Sequence, residues 1–417
     1  TQIRELPTIT RNVYDLVAVA GNVSGGKVAD GEEWTTTTRA TGYAINGQRA
    51  SSTNILLDGS ANNNEFDTTV GQNIPLDSVQ EFSVVTSNFS AQYGRATGGV
   101  VNVLTKSGTN NFRGTGYEFY RSDGLSTNTF DNKANEIEKG EFTRHQLGFS
   151  IGGPIKRDKM HFFSNLEYIR VRSADTVISW VPTPQFIAAS NSATQAFFSA
   201  YGGSVSPSST VLTRGDVSSI INATGTGPFQ SLPPGMPIFT RVEKSLPLDA
   251  GGGDPQDDYQ WVTRVDFTLG NSGQLYVRYA LQDQQAEAGT NSRSPYEGFD
   301  TGYLNKNHNI LGSYTRVFGS TFTTQSKVTW NRLLGDQPLN GDYQPTLYMN
   351  PTTPVTLQGY RVTFPGYLPW SPGNAIPFGG PQKLLQLYQD QTWIRGKHDF
   401  RFGGSYVNIA DDRTFGA

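Results

Sequence analysis

Beyond residue 112 apolar and polar side chains alternate along one run after another, and tight turns alternate with long connections. A period of two gives each strand one apolar and one polar face. Over 261–269 the apolar face is Trp261, Val265, Phe267 and Leu269. Arg264, Asp266 and Thr268 lie opposite, and Val262 breaks the pattern. The apolar faces of 275–282, 322–330 and 147–151 are Leu275, Val277, Tyr279 and Leu281; Phe322, Val328 and Trp330; and Leu147, Phe149 and Ile151. Strands are predicted near 112–121, 142–152, 159–171, 258–269, 273–284, 306–318, 321–333, 385–395 and 398–409. Short turns at 153–158, 270–272, 319–320 and 396–397 alternate with connections of about 20, over 80, about 20 and about 50 residues. A soluble sandwich scatters its loop lengths. An up-and-down transmembrane barrel keeps tight turns at one mouth and long loops at the other. Single-chain bacterial barrels have an even strand count, so nine strands read as part of a barrel.

Composition agrees with many strands and turns. Of 417 residues, 46 are glycine, 12% are aromatic and only 35% are hydrophobic. Without cysteine there is no disulfide scaffold and no thiolate metal site. A net charge of −3 gives no footing for nucleic acid. No apolar run reaches the roughly 20 residues of a membrane-spanning helix, a test that says nothing of a barrel.

Residues 1–110 have a different style. A helix-compatible run covers 13–19, and 43–49 and 54–59 read as short strands. Asp58-Gly59 is a turn signal, and further strands are expected at 79–85 and 100–106. Short, interrupted strands of this kind suit a small mixed α/β domain. The insert at 172–257 is polar and rich in Pro, Ser and Gly, with one helix candidate at 184–201. The first and last residues read as cuts within a longer protein.

The segments NGQR (46–49), LLDG (56–59), SVQEF (78–82) and above all YGRATGGVVNVLTKSG (93–108) resemble the plug domain of TonB-dependent outer-membrane receptors. With TKSGTNNFRG and FSIGGPIKRDKMHFF, the chain is most similar to the Oar-like branch. The resemblance implies a mainly β protein: a plug over 1–110, then the N-terminal portion of a transmembrane antiparallel barrel over 111–417. It implies residence in the outer-membrane lipid and no cofactor. It also implies an extracellular ligand, glycan or siderophore, and coupling to the TonB protein through an N-terminal segment that this sequence does not contain. Gly94, Gly98 and Gly99 are expected to permit tight turns and close backbone approach.

Plug loops of this family rise toward the outer vestibule. Asn62, Asn63, Asn64, Glu65, Phe66 and Asp67 follow the Asp58-Gly59 turn, and their amides and carboxylates suit hydrogen bonding to a polar ligand. Asp58, Asn62, Asn64 and Asp67 are oxygen-rich, but their spacing is not that of an EF-hand, and no metal site is assigned. Trp180 and Trp370, in long loops, are candidates for stacking on sugar rings. Arg49 and Arg95 are expected to contact the inner wall of the barrel. Tyr117, Phe119, Tyr120, Phe162, Phe163, Trp261, Tyr276, Trp330 and Trp393 suit interfacial girdles. His145, His161, His308 and His398 form no catalytic pattern, and no enzyme activity is expected. The leading reading is a receptor-transporter; the alternative is an adhesion or export-associated barrel that displays its loops.

Overall fold

The computed structural model describes residues 10–25, 43–66, 69–90, 93–128, 130–134, 138–204, 210–220, 227–337, 356–357, 360–366 and 378–415. Strands β1 (Val23–Gly25) and β2 (Tyr43–Ile45) pair antiparallel. Strands β3 (Thr53–Leu57), β4 (Ser60–Ala61), β5 (Val79–Val85) and β6 (Gly99–Thr105) form one mixed sheet in the order β4-β3-β6-β5, with β3 parallel to β6. Asp58 and Gly59 join β3 to β4 with φ of 53° and 76°. Two consecutive positive φ values make the tight hairpin that a DG pair favours. The helix-compatible run is a 3₁₀ helix, Val13–Val19, capped by the Asn12 side chain accepting from the Tyr14 amide at 3.0 Å. Its buried Val13, Tyr14 and Val17 pack on Ile45, Ile55, Leu57, Val101 and Val103.

The remaining strands build the wall: β7 (Arg113–Ser122), β8 (Glu141–Lys156), β9 (Met160–Pro182), β10 (Val211–Thr213), β11 (Pro237–Pro247), β12 (Gln256–Leu269), β13 (Gly273–Ala286), β14 (Tyr303–Phe318) and β15 (Phe322–Gln337). A small hairpin, β16 (Thr356–Leu357) with β17 (Tyr360–Arg361), precedes β18 (Phe378–Arg395), β19 (His398–Asp411) and β20 (Thr414–Phe415). The wall pairs antiparallel as β7-β8-β9-β12-β13-β14-β15-β18-β19.

The wall's polar face points inward. Val262 breaks its strand's alternation because it faces the lumen against plug residues; with Ala280 it belongs to the plug's own core. The expected aromatic girdle divides for the same reason. Tyr120, Trp261, Trp330 and Trp393 are exposed on the outer face. Tyr117, Phe119, Phe163 and Tyr276 meet inward cations instead: Arg11 sits 5.3 Å over Tyr117 and 3.9 Å over Phe119, Lys106 5.9 Å over Phe163, and Arg264 3.8 Å over Tyr276.

The insert at 172–257 is not an irregular loop. β9 runs on to Pro182, and its outer half pairs with β11 from Ala174 to Pro182. The helix expected at 184–201 is two helices, Pro184–Ala188 and Ser192–Tyr201. Thr183 and Asn191 accept hydrogen bonds from the first-turn amides of Phe186 and Thr194, so the second cap falls inside the predicted span and divides it.

The glycines of the plug motif differ among themselves. A methyl on Gly99 would meet Ile45 Cδ1 at 2.6 Å, and one on Gly98 the Gln48 Cβ at 3.2 Å. Gly94 lies in a turn but has open space around it, so it fits the turn expectation and not that of close approach. Gly108 is the tightest junction, since its methyl would collide with the backbone carbonyl of Phe162 and lie 2.7 Å from the Phe162 nitrogen. The Gly108→Ala variant of the full-length protein is therefore expected to lose about 1–3 kcal/mol of stability in urea unfolding in detergent. Gly94→Ala is expected to match the parent, and equal losses at both sites would refute the assignment.

Candidate functional site

Plug and wall meet across a belt of carboxamides. The register puts Glu167, Gln260, Gln282 and Asn307 side by side on β9, β12, β13 and β14, and Leu333 beside Gln382 on β15 and β18. Gln282, Asn307 and Gln382 of these rows, with Gln386 and Asn331 beside them, read the plug's backbone. Gln282 Oε1 accepts from the Asn73 amide at 3.0 Å, Gln382 Oε1 from Glu65 at 3.1 Å and Gln386 Oε1 from Ala61 at 3.1 Å. Asn307 Nδ2 donates to the Gly71 carbonyl and Asn331 Nδ2 to that of Ala61, each at 3.0 Å. Hydroxyl and guanidinium groups extend the pattern: Thr329 with Ser60 at 2.8 Å, Arg264 to the Thr105 carbonyl at 3.2 Å, and Arg144 to that of Thr10 at 3.2 Å.

One contact in this interface joins two buried charges. Arg278 Nε, on β13, lies 3.0 Å from Asp58 Oδ2, with side-chain exposures of 0% and 1%. The Asp58 carboxylate also accepts from the Thr105 amide at 2.8 Å and from its hydroxyl. Arg278 donates to the Asn309 side chain as well. The compensation is incomplete, since Arg278 Nη2 is buried without a hydrogen-bond partner, which adds to the desolvation cost of so dry an ion pair.

At the outer end of the plug a second cluster forms against β18 and β20. Glu65 pairs with Arg95. Asn64 Oδ1 accepts from Arg413 at 3.2 Å, and Arg413 also lies 4.4 Å over the Phe66 ring. Phe66 is 46% exposed and tilts on Phe378 at 5.6 Å. Above the wall, three separate segments share one aromatic core. Phe186, Phe197, Phe198 and Phe229 come from the insert, Tyr296 and Phe299 from the β13–β14 connection, and Val362 and Phe364 from beyond β17. Phe186 stacks on Phe364 at 4.6 Å, and Thr194 donates to the Thr363 carbonyl at 2.7 Å.

The residues singled out from the sequence are placed unevenly. Asn64, Glu65 and Phe66 come together at the outer cluster. Asn62 is fully buried and serves the plug itself, donating to Tyr14 Oη at 3.0 Å and to the Gln72 carbonyl at 2.9 Å. Asn63 likewise bridges the Ile55 amide and the Thr53 carbonyl within the plug. Arg95 pairs with plug Glu65 rather than with a wall carboxylate, and Arg49 is exposed at the β2–β3 connection. Trp180 lies on the β9–β11 hairpin, exposed, rather than in an irregular loop. Asp67 and Trp370 lie outside the described residues. Among the described residues no cluster of His, Asp and Glu is arranged to hold a metal. Asp58 is marked by the sequence only as a turn residue and an oxygen donor, and Arg278 is not marked at all; nor are the carboxamides of the belt. Their only sequence signal is a Gln or Asn on the polar face of successive strands, visible only once the register is known.

Residues 104–417 match the family described as "Outer membrane beta barrel domain", and residues 4–100 match the "TonB-dependent Receptor Plug Domain". The chain belongs to the TonB-dependent outer-membrane receptor family. Its place is the bacterial outer membrane, and its family is one of receptors and transporters rather than of enzymes. Over 132 residues, 30% of this chain and 12% of the relative, it is 29% identical to the TonB-dependent transporter Oar of Myxococcus xanthus. Over 147 residues, 32% of this chain and 18% of the relative, it is 29% identical to the probable TonB-dependent siderophore receptor PirA of Acinetobacter baumannii. The outer membrane transporter YddB from Escherichia coli shares the fold, with a TM-score of 0.57 at 12% identity. That likeness covers 97% of this chain and 47% of YddB. The chain thus spans about half the length of this solved receptor, and its matches take in under a fifth of the curated relatives.

Two outcomes follow for the full-length receptor. Asp58→Asn leaves Arg278 buried without its counter-charge and is expected to cost about 3 kcal/mol or more. Urea unfolding and protease sensitivity of the plug would register it, and adding Arg278→Met should recover part of the loss. No recovery would mean that Asp58 acts only through Thr105. The second outcome concerns Asp254, in the connection before β12. Burial, reinforced by nearby Asp249, pushes its carboxyl up to about 7, with Arg293 opposing. A raised folded value means that the folded state binds the proton more tightly than an unfolded carboxyl near 3.9. Stability is then fullest below about pH 4 and is lost as pH rises to about 7. Asp254→Asn should flatten that segment of the pH–stability curve; an unchanged slope would place the titration elsewhere.

Proposed function

We propose that this receptor takes up an extracellular ligand that first contacts the plug at Asn64, Glu65 and Phe66, and that TonB then drives plug rearrangement. The observation carrying this reading is the chemistry of the plug–wall contact. The belt is largely neutral and directed at backbone groups. A neutral hydrogen bond contributes a net of only about 1 kcal/mol, and water can replace it at modest cost. Gln72, with both side-chain polar atoms buried and without a protein partner, suits such hydration. A plug held in this way can be displaced stepwise, with the Asp58–Arg278 pair as the most expensive contact among the described residues.

The ligand class follows from the outer cluster. An exposed aromatic beside two arginines, a carboxylate and an amide suits a ligand that has both a ring face and polar or anionic groups. A siderophore or a glycan meets that description. Whole-cell uptake by the full-length receptor should fall to background without TonB, and Phe66→Ala should weaken ligand binding roughly tenfold. Equal uptake with and without TonB would remove the energised step.

The folded outer body favours a second reading, surface adhesion, in which the barrel chiefly anchors an external module. Deletion of 183–236 separates the two and leaves the β9–β11 hairpin in place. Lost adhesion with retained uptake would favour this second reading.

A further inference from the structure

One arginine joins the outer connections to the plug. The connection between β11 and β12 contains the run Asp249-Ala250-Gly251-Gly252-Gly253-Asp254. Gly251 and Gly253 take φ of 119° and 101°, and the Asp249 carboxylate accepts from the amides of both at 2.7 Å. The Ala250 amide donates to Ser173 Oγ on β9 at 2.8 Å. The loop closes tightly over Phe142, since a methyl on Gly252 would lie 2.5 Å from the Phe142 ring. Two wall arginines hold its carbonyls: Arg121 donates to Gly251 at 2.8 Å and Arg144 to Gly252 at 3.3 Å.

Arg144 does more than hold the loop. It is 3% exposed, and its other terminal nitrogen donates to the Thr10 carbonyl at 3.2 Å. Thr10 leads into the plug: Arg11 pairs with Asp77 at 2.8 Å, and Asn12 caps the 3₁₀ helix Val13–Val19. A guanidinium is a rigid planar fork, so the bonds to Gly252 and Thr10 share one orientation of the group. Loss of the loop carbonyl frees that orientation and loosens the hold on Thr10.

The same loop ends on a carboxyl that water does not reach. Asp254 is 1% exposed, and its Oδ2 is buried without a hydrogen-bond partner. The charged groups facing it are Asp249 of its own loop, which repels it, and Arg293 of the β13–β14 connection, which attracts it. Around Arg144 lie Arg121, Glu167, Asp258 and Asp249, while neighbouring His145 pairs with Glu118 at 3.0 Å. A neutral carboxyl fits this site at modest cost, whereas an ionised one is drawn out toward water. We propose that the 249–254 loop is a proton-controlled latch on the plug: protonated Asp254 keeps it closed, and ionisation of Asp254 opens it and, through Arg144, frees the entry segment at Thr10. The carboxyl is pushed up to about 7 by burial and by Asp249. Closure is therefore fullest in acid and is lost as pH rises to about 7.

The test uses the full-length receptor in detergent, without ligand or TonB. Hydrogen–deuterium exchange at pH 5.5 and 8 is expressed as protection factors, which removes the pH dependence of chemical exchange. In the parent, peptides covering 249–255 and 10–17 should both lose protection roughly ten- to thirtyfold at the higher pH, while β6 stays constant. Asp254→Asn should keep both peptides protected at both pH values. Arg144→Gln should retain the response of the loop peptide and abolish that of the plug peptide. Heat-modifiable gel migration checks folding; if Arg144→Gln misfolds, the parent and Asp254→Asn decide alone. Constant protection of the plug peptide in the parent, a response that survives Asp254→Asn, or a plug response that survives in folded Arg144→Gln would each overturn the proposal. Uptake is not the readout, so failure here is distinct from failure of the transport reading.

Discussion

Everything in this molecule depends on one constraint: a separately folded domain must sit inside a wall and leave the backbone groups at its surface hydrogen-bonded. A buried amide or carbonyl without a partner costs on the order of 1–3 kcal/mol. Here the partners come from wall side chains, because neighbouring wall strands already use the wall's own backbone. Glutamine and asparagine suit the task since each offers a donor and an acceptor on a short arm. Gln282, Gln382 and Gln386 accept from plug amides, while Asn307 and Asn331 donate to plug carbonyls. Such a belt fixes the plug's register while adding little charge to a dry interface. The Asp58–Arg278 pair adds a single strong anchor. Asp58 sits in a tight positive-φ turn, which aims its carboxylate without side-chain reach.

The same constraint inverts the usual meaning of amphipathic strands. In a soluble sheet the apolar face is the core; here it faces lipid, and the polar face meets protein. That is why one alternating pattern yields two kinds of aromatic. Trp330 and Trp393 stand on the lipid side, whereas Tyr117, Phe119 and Tyr276 lie under the guanidinium groups of Arg11 and Arg264. Val262 is the exception that locates the plug's core: an apolar residue on the polar face marks where the plug itself is apolar.

The wall strands and the DG hairpin were legible in the sequence because both are local. Period two and positive φ depend on a few adjacent residues. The interface was illegible because it depends on register, which brings Gln260, Gln282 and Asn307 into one row from distant parts of the chain. The outer body was hidden for the same reason, since Phe186, Phe299 and Phe364 become a core only when three connections converge. Asn62 misled because an amide that caps a plug loop and one that greets a ligand have identical chemistry. Burial alone separates them, and Asn62 lies under Tyr14 and Gln72.

β9 ties these parts together. Its inner half pairs with β12 and presents Asn165 and Glu167 to the lumen, while its outer half pairs with β11 beneath the aromatic body. The exchange of partners falls between Val171 and Ala174. An unbroken strand transmits a tilt along its length far better than two strands joined by a flexible loop, since its hydrogen bonds on the β8 side run on through this exchange. The outer body and the plug-facing wall are thus joined by backbone as well as by contact.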